Sequence, residues 1–231
     1  MTGETELTGA GLPPTAALAD VLLMGGSNGW ISPPLEPIVT SPEPVAARVV
    51  TVELAVVEDG VGLGPLFSIL NRESVGDRVL VIGGAPSLPG AVWGEILGAA
   101  ACNAGVRGVV LDGTVRDVAA LRDLALPTWA RAQGTVGPGR SIEVVGVGET
   151  VQVGDVRIHG GDLVVMDDGG VVALRADIEV DALGRARRYA GAEAAVVDDL
   201  RSGRPLVDAY EHKRRTVASL RELERFDAVE P

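Results

Sequence analysis

Aromatic residues make up only 3% of this 231-residue chain, and Cys102 and Lys213 are its sole cysteine and sole lysine. With so few aromatics, the chain lacks the stacking platforms on which single-stranded nucleic acids are held. One cysteine excludes an intrachain disulfide and a cysteine-based zinc site. No apolar run approaches the roughly 18 residues that a membrane-spanning helix needs. The opening Met1-Thr2-Gly3-Glu4-Thr5-Glu6 has no basic stretch of the signal-peptide kind. Basic residues are also short, 20 against 32 acidic ones, for a net charge of −12. Such a chain repels a phosphate backbone. The expectation is a cytoplasmic protein with neither a nucleic-acid nor a membrane partner.

What is abundant is Ala, Val, Leu and Gly. At 46% hydrophobic residues, the chain can bury a core as one large domain with at most a modest appendage. Residues 1–14 read as a flexible lead-in. Thr15 is placed to cap a short apolar helix over residues 16–23. Residues 24–44 form a Gly-, Ser- and Pro-rich stretch long enough to be functional or a subunit contact. Strand and helix patterns then alternate. Strands are expected at 48–54, 78–82, 108–111 and 128–131, and helices at 63–71 and 92–104, with Gly105 as a C-cap. From residue 151 the texture becomes β-rich and antiparallel, with a hairpin turn at Asp167-Asp168-Gly169-Gly170. Beyond Asp177 the chain reads as polar helix, interrupted at Ser202-Gly203-Arg204-Pro205.

The segment from Gly83 to Asp117 carries chemistry. Gly83-Gly84 ends a strand, a loop with Pro86, Pro89 and Gly90 follows, and a helix starts near Trp93-Gly94-Glu95. Gly94 lets a ligand approach the backbone, and unpaired N–H groups at a helix start favour a carboxylate or phosphate. One strand later, Asp112-Gly113-Thr114 leads to Arg116-Asp117. Arginine offers a fork for a carboxylate, and aspartate a hard oxygen for Mg²⁺ or Mn²⁺. Helix-plus-strand connectivity can bring both ends to one sheet edge, where ligands of α/β proteins sit. The same residues also fit a helix cap and a surface ion pair.

The spacing Gly94-Glu95, 20 residues, Arg116-Asp117 resembles the signature of the class II pyruvate aldolases. That family includes 4-hydroxy-4-methyl-2-oxoglutarate aldolase and shares a superfamily with the regulator of ribonuclease activity A. The resemblance extends to the helix beginning Thr15-Ala16-Ala17-Leu18, the strand Val50-Thr51-Val52, the entry Val75-Gly76-Asp77-Arg78-Val79, and the hairpin from Gly161-Asp162 to Val171-Val172. In-order matches cover residues 15–212. The resemblance implies a single α/β domain of the swivelling β/β/α sandwich kind over residues 15–200, with a helical tail at 201–231. It also implies a homotrimer or a homohexamer.

For the site, the resemblance implies that Asp117 ligates Mg²⁺ or Mn²⁺ and that Arg116 binds the pyruvyl group of a 2-oxo acid substrate. Backbone N–H groups of Gly94, Glu95, Ile96 and Leu97 would hold the carboxylate, and Glu95 would face the waters around the cation. The implied activity is aldol cleavage of a 4-hydroxy-2-oxo (di)carboxylate to pyruvate, with oxaloacetate decarboxylation beside it. A non-catalytic protein-binding regulator is the alternative, as is a specialised lyase using the same enolate site. Such chemistry needs no Schiff-base lysine. A nucleotide-dependent methyltransferase is set aside, because the chain does not combine a Gly-rich nucleotide loop after the first strand with an acid ending the second.

Other residues carry two readings each. Arg131 or Arg140 is a candidate for a distal carboxylate or a solvated loop arginine. Glu193 either reaches a neighbouring subunit's site or is an exposed helix residue. His159 and His212 read as surface residues, Asp167-Asp168 as hairpin chemistry, and Cys102 as core packing. Arg185, Arg187 and Arg188 read as a solvated helix face or a subunit contact.

Overall fold

Valine-rich segments pair into sheets in this chain because branched side chains fit the pleated, half-buried surface of a strand. A computed structural model describes residues 11–84 and 89–226. The first elements are α1 (Thr15–Gly25), β1 (Glu36–Val39), β2 (Val45–Val56), α2 (Gly64–Leu70), a 3₁₀ turn (Glu73–Val75), β3 (Val79–Gly84), β4 (Ala91–Trp93) and α3 (Glu95–Asn103). Then follow β5 (Gly108–Val115), α4 (Val118–Leu124), β6 (Thr128–Gln133), β7 (Ile142–Val147), β8 (Val151–Val153) and β9 (Val156–Ile158). The chain continues with β10 (Leu163–Asp167), β11 (Gly170–Leu174), α5 (Glu179–Arg201), α6 (Leu206–Ala209) and α7 (Glu211–Arg221). Residues 1–10 of the expected lead-in and Pro86 of the expected loop lie outside the described residues.

The main sheet runs β1-β6-β5-β3-β2-β10-β11, with β4 paired to β5 and β7 paired to β2. Its centre, β2–β3–β5–β6, is parallel, and the flanks are antiparallel. The 12-residue β2 joins the two parts. Its first residues pair with β10 and its last with β7, while β3 follows its opposite edge. This mixed α/β architecture with C-terminal helices is the fold class that the sequence indicates.

Alternation along the central strands separates two cores. Leu80, Ile82, Val109 and Leu111 face α2, α3 and α4, whereas Val79, Val81, Val110 and Trp129 face the small β8–β9 sheet and residues 31–35. A third cluster joins α1 and α5 to Leu163, Val165, Val172 and Leu174, and Leu220 of α7 and Phe226 close it. Arg48 of β2 grips Glu179 at the start of α5 with both nitrogens, one bond measuring 2.6 Å. The Tyr189 hydroxyl donates to Asp20 of α1 at 2.6 Å. Residues 206–221 thus fold back onto α5. Among the described residues no helix is long and apolar enough to cross a membrane.

Several local expectations change. Thr15 is the first helical residue and does not cap α1; Pro14 precedes the helix without a side-chain bond. The Thr15 N–H and hydroxyl instead both reach Asp167, the N–H at 2.8 Å, so a hairpin carboxylate serves as a tertiary cap. The expected 92–104 helix begins only at Glu95, since residues 91–93 are strand. Within the 24–44 stretch lies β1, and β7 occupies a segment between the expected strand at 128–131 and the β-rich region from residue 151.

Arg185 is no member of a solvated face. It is 8% exposed, bound to Asp181 and to the Glu224 carbonyl, and stacked 4.4 Å from the Phe226 ring centroid. Arg187, by contrast, is exposed and donates to the Gly11 carbonyl. Arg185→Ala should therefore cost about 2 kcal/mol in urea unfolding, while Arg187→Ala stays within about 0.5 kcal/mol. Equal effects would contradict the buried role.

Candidate active site at the ends of β4 and β5

The site begins with a strand that the sequence pattern hides. β4 pairs in parallel with the end of β5, Ala91 opposite Thr114 and Trp93 opposite Val115, and α3 connects the two strands. A parallel pair joined by a helix places both strands' C-terminal ends at one edge. Gly94 therefore lies beside Arg116, whose N–H donates to the Trp93 carbonyl at 2.9 Å.

Gly94 is extended, with φ −172°, so its backbone would accept any residue. Glycine there spares the two neighbouring side chains a displacement. A Cβ at this position would stand 2.7 Å from Asp117 Oδ2 and 3.0 Å from Arg116 Cγ. The α3 ladder opens with the Gly98 N–H donating to the Gly94 carbonyl at 2.9 Å. The N–H groups of Glu95, Ile96 and Leu97 thus precede any intrahelical donor. Glu95 N–H is turned toward Asp117 Oδ2 at 3.4 Å.

Asp117 has left-handed backbone geometry, φ 57° and ψ 38°, which aspartate tolerates better than most residues. It stands at the start of α4 yet makes no side-chain cap there. Its carboxylate points to the start of α3 instead. Arg116 Nε lies 3.6 Å from Asp117 Oδ2, and both side chains are nearly half exposed, at 45% and 44%. That contact is too long for a tight ion pair and leaves both groups accessible. Gly137 lies alongside the guanidinium, its Cβ position 3.6 Å from Arg116 Nη1.

A shallow cleft opens here, lined by Arg116, Asp117, Gly94, Ile96 and Leu97 together with apolar residues of α2 and β4. The structure thus brings together four of the expected site residues around Asp117. The Glu95 side chain is exposed at the helix start and is not among the residues lining the cleft. Trp93, at the cleft floor, is 1% exposed, and its indole Nε1 has no hydrogen-bond partner among the described residues.

Asp117 presents one accessible carboxylate. Among the described residues, no three His, Cys, Asp or Glu side chains are grouped to enclose an ion. A single hard oxygen donor beside room for water suits Mg²⁺ or Mn²⁺, which keep much of their hydration and share ligands with a substrate.

The remaining candidates lie elsewhere. Arg131 points to the opposite face of the sheet, where its Nε donates to Asp112 at 2.8 Å and its Nη1 to the Pro33 carbonyl at 2.5 Å. Asp112 also accepts the Gly154 N–H at 2.6 Å. Arg140 forms a surface pair with Asp59. Neither lines the cleft. Glu193 bonds Lys213 at 2.6 Å, and Lys213 lies over the Tyr189 ring. Burial opposes the Lys213 charge, but Glu193 and Tyr189 outweigh it and hold the pKa above its usual value. His159 lies 2.7 Å from the Thr150 hydroxyl, and His212 lies 3.0 Å from Asp199, both at the surface. Cys102 packs half-buried against the α2–α3–α4 core, and that burial raises its thiol pKa.

A family model described as RraA-like, aldolase/RraA, matches residues 15–173. The chain belongs to this family. It is 28% identical over 123 residues to a Halalkalibacterium halodurans protein provisionally named a 4-hydroxy-4-methyl-2-oxoglutarate aldolase, covering 53% of this chain and 58% of that protein. An uncharacterized protein from Pseudomonas syringae pv. tomato shares the fold, with TM-score 0.74 and 23% identity over 85% of this chain and 92% of its own. The RNA-processing inhibitor RraA from Thermus thermophilis aligns at TM-score 0.51 and 27% identity, covering 61% and 80%. The family therefore spans aldolases and RNA-processing regulators.

The part assigned to Arg131 by the structure has a direct test. Arg131→Ala leaves Asp112 with the Gly154 N–H but without its counter-charge, removes the donor to the Pro33 carbonyl, and should lower unfolding free energy by about 1–3 kcal/mol. Arg140→Ala should shift it by less than about 0.5 kcal/mol. Chemical denaturation compares the two, and an unaffected Arg131→Ala protein would refute the brace.

Proposed function

We propose that this chain is a divalent-metal-dependent carbon–carbon lyase that cleaves a 4-hydroxy-2-oxo acid to pyruvate, with oxaloacetate decarboxylation as a side activity. The observation that carries the reading is the approach of Arg116 and Asp117 to the start of α3, so close that a methyl group on Gly94 would displace the Asp117 carboxylate. Family membership and the named aldolase relative support it.

Cleavage breaks the C3–C4 bond of the substrate. The electron pair moves into the C2–C3 enolate, and the 4-hydroxyl loses its proton as the new carbonyl forms. The enolate carbon then takes up a proton to give pyruvate. In this reading the Arg116 fork holds the substrate carboxylate or the oxygen on which negative charge grows. The N–H groups of Glu95, Ile96 and Leu97 receive the carboxylate. Glu95, exposed at the start of α3, would polarise a water that carries the proton from the hydroxyl to the enolate carbon. A divalent cation at Asp117 supplies Lewis acidity. Decarboxylation of oxaloacetate generates the same enolate, so one site serves both reactions. Lys213 has no part, being bonded to Glu193 on the C-terminal helices. The protomers are proposed to assemble as a homotrimer or a homohexamer.

The second reading is a protein-binding regulator, favoured by the likeness to the Thermus inhibitor. One assay separates the two: pyruvate release from oxaloacetate, from 4-hydroxy-4-methyl-2-oxoglutarate and from the monocarboxylic 4-hydroxy-2-oxopentanoate, with Mg²⁺ and with EDTA. Turnover should require the metal, and Asp117→Ala should lower kcat/KM by about 100-fold or more. Glu95→Gln should cost about 10²–10⁴-fold with metal still bound. Absence of metal-dependent turnover on all three substrates would leave the regulator. Full activity in Glu95→Gln would remove only the proton-transfer role.

A further inference from the structure

Beyond Arg116 the cleft is apolar. Its walls are Leu63 and Phe67 at α2, Val92 and Trp93 of β4, and Ile96 and Leu97 of α3. Arg116 is the one cationic side chain among the lining residues. The two other arginines that a second carboxylate might have used are engaged elsewhere, Arg131 on the opposite sheet face and Arg140 with Asp59. Phe67 and Ile96 remain 55% and 76% exposed, so apolar carbon faces water beside the anion-binding end.

We propose that the far end of the substrate is uncharged and apolar: the site takes a 2-oxo monocarboxylic acid with a short alkyl group beyond C3 in preference to a dicarboxylic acid. The inference rests on the reading of Arg116 as the carboxylate receptor. A second carboxylate set against Phe67 and Ile96 would lose water without gaining a counter-charge. The chain's net charge of −12 adds to that penalty. An alkyl group instead covers exposed Phe67 and Ile96, and each buried methylene is worth about fourfold in affinity.

Two ligands lacking a 4-hydroxyl isolate binding from cleavage. Dissociation constants for 4-methyl-2-oxopentanoate and 2-oxoglutarate are to be measured by calorimetry on the Mg²⁺-loaded protein. The apolar acid should bind about tenfold more tightly. Phe67→Lys, a change on an exposed helix face, should narrow or reverse that ratio, and Ile96→Lys should do the same if the first variant fails to fold. Arg116→Met should abolish binding of both acids. Equal or tighter binding of 2-oxoglutarate by the unaltered protein overturns the proposal, as does an unchanged ratio in both lysine variants. If neither acid binds, the carboxylate role of Arg116 falls with it. If the apolar acid binds through Arg116 while no 4-hydroxy-2-oxo acid releases pyruvate, the specificity stands and the lyase reading fails.

Discussion

The structure of the site depends on one contact: three residues of β4 lying in parallel against the end of β5. That pairing fixes where α3 must start, because the helix is the crossover between the two strands. It also brings Arg116 within reach of the Trp93 carbonyl and sets Gly94 where a side chain would push the Asp117 carboxylate aside. The left-handed turn at Asp117 completes the arrangement. A carboxylate that would normally cap its own helix is directed across to the neighbouring one. Sterics, backbone hydrogen bonding and an uncommon dihedral all favour the same geometry, which is how a small exposed site is held in shape.

Such a contact needs a rigid strand beneath it. β5 is paired on both sides, by β3 and β6, and is covered by apolar residues on both faces. Val109, Val110 and Leu111 have no exposed surface. On the face away from the cleft, Arg131 ties Asp112 of β5 to residues 33 and 34, and Asp112 in turn holds Gly154 of the β8–β9 sheet. The strand that presents Arg116 is thus anchored from behind. The long β2 carries the same sheet over to β10 and the C-terminal helices, where Arg48 holds Glu179.

Much of this was legible in the residues, and the exceptions have physical causes. β-branched runs located the central strands, and the Gly94-Glu95 and Arg116-Asp117 spacing marked the cleft. β4 was hidden because Ala91-Val92-Trp93 merges with an Ala-rich helix, and only its distant partner β5 makes it a strand. β1 is likewise short, and both it and β7 are held by pairing with remote strands, β6 and β2. Thr15 looked like a cap because caps are judged from neighbours, whereas its partner Asp167 is 152 residues away. Arg185 sits in an arginine run and looks solvated until Phe226 and the Glu224 carbonyl close over it. Pairings remote in sequence decided each case.

The charges at the cleft bear on how an acidic protein can hold an anion. Arg116, Asp117 and Glu95 together carry one net negative charge, a poor receptor for a carboxylate inside a chain of net charge −12. A divalent cation at Asp117 would change that local balance to one net positive charge. Affinity for the cation and affinity for the anion are then linked, each raising the other by the same factor. The 3.6 Å separation of Arg116 Nε from Asp117 Oδ2 fits this economy, because a tight pair would withhold both groups from their ligands. The looseness of that contact, and the near half exposure of both side chains, are therefore what a site loaded with a cation and an anion together would require.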